Sequence, residues 1–177
     1  MNLIVTDAPA KKFSDPAFTL DGQARAHVTS RGLSTIWFNT GTLCNLTCES
    51  CYIESSPSND RLVYLSHAEV QTYLDEVERD HPSVNQIGLT GGEPFMNPDV
   101  IEIMALCLSR GFNLIVLTNA MRPMMKCAEE LAALQAQFPE QLTMRVSIDH
   151  YTRELHEVER GRRSWNPMIV RLRAAHV

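Results

Sequence analysis

Strand-like and helix-like segments alternate along the chain, and this alternation restricts the fold more than any other feature of the sequence. Short apolar segments typical of buried parallel strands occur near residues 35–39, 87–90, 113–117 and 142–146. Segments with apolar residues at helical spacing lie between and after them, at about 66–81, 97–111, 124–137 and 167–176. The pattern predicts an α/β fold in which right-handed helical crossovers connect the strands of a parallel sheet.

Polar residues stand directly after three of the predicted strands. The second strand runs into residues 91–94, the third ends in Thr118 and Asn119, and the fourth ends in Ser147 and Asp149. Ligands of α/β barrels bind at the C-terminal ends of the strands, so we expect these residues to face one cavity. The alternative for each residue alone is a role in a turn or a helix cap, where Asn, Asp and Ser are common.

Three cysteines lie close together after the first predicted strand, in an otherwise cysteine-poor chain. Cys44, Cys48 and Cys51 have the spacing C-x3-C-x2-C. Thiolates are the protein ligands of iron–sulfur clusters, and three of them can bind three corners of a [4Fe–4S] cube. The fourth iron then has no protein ligand, so the spacing predicts a cluster with one position open to a substrate or cofactor.

Zinc is the alternative metal for the same cysteines. Three cysteines and one histidine form a common tetrahedral zinc site, and His67 follows Cys51 at a distance of sixteen residues. A second cysteine pair would strengthen this interpretation, but Cys107 and Cys127 each stand alone, in apolar or helical segments that suit small buried residues. The cysteine spacing therefore favours a cluster over zinc, and both interpretations remain open at this point.

The segment after the second strand reads Gly91-Gly92-Glu93-Pro94. The two glycines free the backbone, and without a Cβ they allow a ligand to lie against the main chain. A simple turn between strand and helix explains the glycines and the proline but gives no reason for the acid between them. A phosphate-binding loop is excluded because no Lys-Ser or Lys-Thr pair follows the glycines.

The cysteine spacing and the G-G-E-P segment together resemble the radical SAM superfamily. The resemblance implies that Cys44, Cys48 and Cys51 hold a [4Fe–4S] cluster whose open iron binds S-adenosylmethionine. The residues that it implies as cofactor contacts are Gly91, Gly92, Glu93, Pro94, Asn119, Ser147, Asp149 and Tyr52. Many members carry an aromatic residue just before the third cysteine, whereas this chain has Ser50 there and Tyr52 just after that cysteine.

The resemblance also implies an activity. In this superfamily an electron from a reduced carrier of the flavodoxin or ferredoxin type cleaves S-adenosylmethionine, and the resulting 5′-deoxyadenosyl radical abstracts hydrogen from a substrate. An oxidoreductase of this kind is the expectation for this chain. Two alternatives are an inactive or partner-dependent fragment of such an enzyme and a zinc-stabilised α/β binding module.

The length of the chain bears on how much of that fold is present. The resemblance implies a partial (β/α) barrel, and residues 34–177 provide about four βα units of the usual six. We therefore expect a core domain at 34–177 that is incomplete at its C-terminus, preceded by an N-terminal extension at 1–33. The missing part would contribute adenine contacts and any C-terminal substrate or auxiliary-cluster domain.

Composition narrows the class of protein. The chain has 177 residues, of which 44% are hydrophobic, and this is enough to form one packed core. Its net charge of −5 argues against broad nucleic-acid binding. No apolar run approaches the roughly 18 residues of a membrane span, and no signal-peptide pattern opens the chain, so we expect a cytoplasmic protein.

A basic cluster near the end of the chain has two interpretations. A solvated helix face is favoured because charge runs of this kind are common, and contact with an acidic partner or the missing C-terminal half is the alternative. Its members are Arg160, Arg162, Arg163, Arg171 and Arg173.

Overall fold

The structure of the chain is a computed structural model, and it describes residues 13–174 and the side chains of residues 13–171. The first part of the predicted N-terminal extension, the last residues of the predicted fourth helix and the side chain of Arg173 lie outside these described residues. Within residues 13–174, no helix combines the length and apolar composition that crossing a membrane requires.

Residues 13–31 belong to a small unit of their own. Phe18 and Ala24 pair through an antiparallel bridge, and the carboxylate of Asp15 accepts hydrogen bonds from the backbone N–H groups of Ala17 and Phe18. A side-chain oxygen that accepts two nearby N–H groups is the usual device that stabilises a tight turn.

The second unit begins at Gly32 and contains the alternating strands and helices that the sequence predicts. The strands are β1 (Thr35–Asn39), β2 (Gln86–Thr90), β3 (Asn113–Thr118) and β4 (Leu142–Val146). The helices are α1 (His67–Asp80), α2 (Val100–Ser109), α3 (Arg122–Lys126), α4 (Ala128–Gln137), α5 (Arg153–Arg160) and α6 (Trp165–Ala174). The predicted α/β architecture is confirmed.

All four strands pair in parallel, in the order β1-β2-β3-β4. One row across the sheet joins Phe38 to Leu89, Leu89 to Val116 and Val116 to Met144. Because the strands are parallel and each follows its neighbour in sequence, their C-terminal ends meet at one edge of the sheet.

The core lies between this sheet and the helices α1, α2 and α4. Ile87 and Leu89 of β2 are fully buried, as alternate residues on one face of a strand must be when that face is covered. Helix α1 begins where the sequence predicts, since the Ser66 hydroxyl accepts the N–H of Glu69 and the Glu69 carboxylate accepts the N–H of Ser66. The fully covered residues contributed by the helices include Val70, Leu74, Ile103, Met104 and Cys107.

Three local predictions need correction. The predicted third helix is divided at Cys127, whose backbone φ of −106° and ψ of 20° interrupt the helical path. The predicted fourth helix, at 167–176, corresponds to α6, whereas the separate helix α5, which ends at Gly161 with a φ of +94°, was not predicted. Strand β4 is not buried as predicted: it forms an edge of the described sheet, and only Leu142 of its residues is buried.

Candidate functional site

A cavity of about 260 Å³ lies at the C-terminal edge of the sheet. We call it the strand-end cavity. Its lining comes from the cysteine loop (residues 44–52) with Ser55, from the ends of β2, β3 and β4, and from the end of α5. The lining residues are Cys44, Leu46, Cys48, Ser50, Cys51, Tyr52, Ser55, Thr90, Gly91, Gly92, Leu117, Thr118, Asn119, Ser147, Asp149, Glu159 and Arg160.

The cysteine loop places all three thiols on this lining. Backbone N–H groups point at two of the sulfurs: Leu46 donates to Cys44 Sγ at 3.4 Å, and Ser55 donates to Cys51 Sγ at 3.3 Å. The N–H of Cys51 also donates to the carbonyl of Cys48 at 3.3 Å, which forms a turn between the second and third cysteines. Hydrogen bonds to sulfur favour the thiolate that iron requires as a ligand and tune the potential of a bound cluster.

Burial favours the protonated form of two of these thiols, those of Cys44 and Cys48, in the metal-free protein. Burial raises the pKa of the Cys44 thiol to about 11, and burial also raises the pKa of Cys48 against the opposing positive charge of Arg160. Cysteine binds metal as a thiolate, so these groups must release their protons when a metal centre forms.

The lining of the strand-end cavity includes three thiols and, among the described residues, no histidine. Within the described side chains, no group of three or more His, Cys, Asp or Glu residues is placed to hold one ion. In a cubane each thiolate binds a different iron, so its three sulfurs need not surround one point. His67, the predicted fourth ligand of zinc, lines a separate cavity with Glu102 and Phe138.

The glycines after β2 allow the Gly91–Pro94 segment to pack against the backbone that leads into the cysteine loop. A Cβ on Gly91 would lie 2.6 Å from the carbonyl oxygen of Gly41, and one on Gly92 would lie 2.2 Å from that of Leu43. The N–H of Gly92 donates to Gly41 O at 2.8 Å, and the N–H of Glu93 donates to Leu43 O at 3.0 Å. Both glycines line the cavity, but the close approach that requires glycine is to another part of the backbone.

Glu93 and Pro94 lie beneath the strand-end cavity and not on its lining. The Glu93 carboxyl is 2% exposed and accepts three hydrogen bonds: from Thr118 Oγ1 at 2.8 Å, from the N–H of Asn119 at 2.9 Å and from the N–H of Phe95 at 3.3 Å. Burial raises the pKa of Glu93, against the opposing effect of these donors. The carboxyl group thus connects the end of β2 to the end of β3, and Pro94 begins a short 3-10 turn.

Asn119 joins the end of β3 to the cysteine loop. Its Nδ2 donates to Asn45 Oδ1 at 3.0 Å and lies 3.7 Å from Cys44 Sγ, while its Oδ1 accepts the N–H of Met121 at 2.9 Å. The predicted strand-end residue therefore contacts Cys44 directly.

The end of β4 completes the cavity with Ser147 and Asp149. Asp149 forms an ion pair with Arg160, the last residue of α5, whose side chain is only 14% exposed. The preceding residue, Glu159, accepts hydrogen bonds from Ser50 of the cysteine loop. This part of the chain, which follows the fourth strand, therefore belongs to the site.

The basic cluster divides into members with different surroundings. Arg162 and Arg163 are exposed, as predicted, but they lie in the turn between α5 and α6 and not on a helix face. For Arg160 that interpretation is wrong, since its guanidinium lies in the cavity against Asp149. Arg171 is partly buried and donates to the carbonyl of Ala120 at 2.8 Å.

Sequence reasoning missed two residues of the site. Ser55 is 4% exposed, lines the cavity and has a hydroxyl without a hydrogen-bond partner among the described residues. Neither Ser55 nor Glu159 belongs to a recognisable motif. For Arg160 a signal existed, because the Arg160-Gly161 pair resembles the segment that follows the fourth strand in the radical SAM superfamily.

Curated relatives match about two thirds of the chain. The antilisterial bacteriocin subtilosin biosynthesis protein AlbA of Bacillus subtilis (strain 168) is 30% identical over 120 residues, which are 68% of this chain and 25% of AlbA. The AdoMet-dependent heme synthase of Methanosarcina barkeri is 31% identical over 118 residues, 67% of this chain and 32% of the synthase. The chain spans about a quarter to a third of the length of these relatives.

Solved structures show the same fold. Streptococcus suis SuiB bound to S-adenosylmethionine superposes with a TM-score of 0.61 at 18% identity, over 75% of this chain and 29% of SuiB. SuiB bound to the precursor peptide SuiA gives a TM-score of 0.60 at 18% identity, over 73% of this chain and 27% of SuiB.

The sequence model of one family, the radical SAM superfamily, matches residues 38–176, which include every strand of the sheet except the start of β1 and every residue of the strand-end cavity. The chain belongs to the radical SAM superfamily, whose members bind a [4Fe–4S] cluster and S-adenosylmethionine.

Proposed function

We propose that this chain is the cofactor-binding core of a radical SAM enzyme. In this proposal Cys44, Cys48 and Cys51 hold a [4Fe–4S] cluster in the strand-end cavity. The observation that carries the proposal is that the three sulfurs line one cavity together with the ends of β2, β3 and β4. An open cluster iron would then face the polar groups at those strand ends.

The second cofactor, S-adenosylmethionine, fits the groups that remain on the lining. We assign its contacts to the main chain of Gly91 and Gly92 and to the side chains of Asn119, Ser147 and Asp149, with Tyr52 at the exposed rim. The Ser55 hydroxyl supports a polar occupant, because a buried hydroxyl without a partner is costly until a ligand or water pairs with it. Glu93 and Pro94, which we expected as contacts, support the cavity from below in this proposal.

When bound and reduced, this cofactor pair supplies a 5′-deoxyadenosyl radical for hydrogen abstraction from a substrate. The chain's own residues bind the pair, orient it and exclude water from the buried side of the cavity. The electron would come from a reduced carrier of the flavodoxin or ferredoxin type.

The test is anaerobic reconstitution of the full chain with iron and sulfide, followed by electron paramagnetic resonance of the dithionite-reduced protein. We expect a [4Fe–4S]⁺ signal that changes shape when S-adenosylmethionine is added. The signal should be absent from a Cys44→Ala, Cys48→Ala, Cys51→Ala variant. Cys107→Ala is the matched control, because Cys107 is buried in α2 away from the cavity and its loss should leave the signal intact.

Two other results would contradict the proposal. Stoichiometric zinc without a cluster would establish the zinc-stabilised binding module. A cluster whose signal is indifferent to S-adenosylmethionine would establish the inactive or partner-dependent fragment.

A further inference from the structure

The end of α5 forms three hydrogen bonds with two adjacent residues of the cysteine loop. Glu159 Oε1 accepts the N–H of Ser50 at 2.9 Å and also the hydroxyl of Ser50. The backbone carbonyl of Glu159 accepts the N–H of Glu49 at 3.0 Å. A carboxylate that accepts from both a backbone N–H and a hydroxyl forms stronger hydrogen bonds than a neutral acceptor.

These bonds act on the part of the loop that sets the position of two thiols. Glu49 and Ser50 are the residues between Cys48 and Cys51, and both are exposed to solvent. An exposed two-residue segment has little packing to hold it, so its order depends on its hydrogen bonds. Glu159 supplies the acceptors from a position 109 residues further along the chain.

Glu159 is itself held in place by its neighbours. Arg160, the next residue, forms its ion pair with Asp149 at the end of β4. His156, on the preceding turn of α5, is fully buried and packs edge-on against Trp165. The end of α5 that carries Glu159 is therefore held by contacts outside the cysteine loop.

We propose that Glu159 is a positioning residue that holds the segment between Cys48 and Cys51 in the arrangement that a cluster requires. The proposal rests on the function proposed above, because the cluster is the group that the ordered loop would receive. Glu159 acts through Ser50 and Glu49 and is not itself a ligand. A loop ordered in advance loses less conformational entropy when the cluster binds, so the cluster is retained for longer. Many members of the superfamily have an aromatic residue at the position of Ser50. In this chain the Ser50 hydroxyl donates a further hydrogen bond to Glu159 Oε1.

The experiment compares Glu159→Ala, Glu159→Gln and Ser50→Ala in the full chain with Glu154→Ala, an exposed glutamate in the first turn of the same helix, as the matched control. Amide hydrogen exchange of Ser50 in the metal-free protein is the first measurement. We expect exchange to be about tenfold faster in Glu159→Ala. This factor corresponds to the lower end of the free energy that a hydrogen bond to a charged group contributes. Glu159→Gln retains a carbonyl oxygen and should restore most of the protection.

Loss of iron to a chelator from the reconstituted protein is the second measurement. We expect loss to be about tenfold faster in Glu159→Ala, intermediate in Ser50→Ala and unchanged in Glu154→Ala. Exchange of the α1 amides should be the same in every variant, which separates a local effect on the loop from general destabilisation.

Unchanged exchange at Ser50 in Glu159→Ala would overturn the inference, whether or not the protein binds a cluster. Unchanged iron loss in a parent protein that does bind a cluster would also overturn it. A parent protein without a cluster refutes the proposed function instead, and exchange at Ser50 then still decides whether Glu159 orders the loop. If Glu159→Ala does not fold, Ser50→Ala and Glu159→Gln provide the same comparisons.

Discussion

The buried carboxyl of Glu93 gives the sharpest prediction about stability. Glu93→Ala removes the acceptor of three donors, the Thr118 hydroxyl and the N–H groups of Asn119 and Phe95, at a site that is only 2% exposed. Water cannot readily replace the lost acceptor in so closed a site, so the donors are left unpaired.

The magnitude follows from the geometry of these bonds. Each buried donor without a partner costs about 1–3 kcal/mol, and the Phe95 bond, at 3.3 Å, is the longest and counts least. Removing the buried carboxyl relieves part of its own desolvation cost, so we expect Glu93→Ala to lower the free energy of unfolding by about 3 kcal/mol. Glu93→Gln keeps one acceptor and should cost about 1–2 kcal/mol.

Urea denaturation of the metal-free protein measures this difference. The midpoint should fall while the slope of the free energy against urea concentration stays unchanged, and the melting temperature should fall by about 2–4 °C for each kcal/mol. Glu102→Ala, at an exposed position on α2, is the control and should stay within about 0.5 kcal/mol of the parent.

One outcome would refute this reasoning. If Glu93→Ala leaves the urea midpoint unchanged but weakens the binding of S-adenosylmethionine, the carboxyl contacts the cofactor and does not connect the strands.

Three further predictions follow from the same part of the structure. Burial raises the pKa of Glu93 above its ordinary value of 4.5, so the folded state favours the protonated form. Glu93 therefore stabilises the folded state fully at a pH below 4.5, and this contribution decreases as the pH rises through the raised pKa. The urea midpoints of the parent and of Glu93→Gln should therefore converge as the pH rises through this range. Gly92→Ala places a Cβ 2.2 Å from the backbone oxygen of Leu43, so we expect it to cost about 2 kcal/mol or more and to lower the iron content after reconstitution; an unaltered urea midpoint would contradict the close approach. Gly88→Ala meets the ring of Trp37 at the same 2.2 Å, but this side chain is 45% exposed and can move, so its urea midpoint should fall less than that of Gly92→Ala.

Much of the fold was predictable because its signals are local. Strands β1 and β4 lie at the predicted residues, and the capping box of Ser66 and Glu69 marks the start of α1. The break at Cys127 was not predicted, because the apolar spacing continues through it, and α5 was not predicted as a helix separate from α6. The exposure of β4 was also missed, since it depends on which strand stands at the edge of the sheet and not on the residues of β4.

The sequence by itself determined the residue types of the site: three closely spaced cysteines, two glycines after β2 and polar residues at the ends of β3 and β4. These features follow from spacing and from the parallel order of the strands, which brings their ends together. The tertiary structure alone decided that Glu93 turns inward and that Glu159 reaches Ser50. Those contacts join residues 25 and 109 positions apart, and they depend on packing directions that no local pattern encodes.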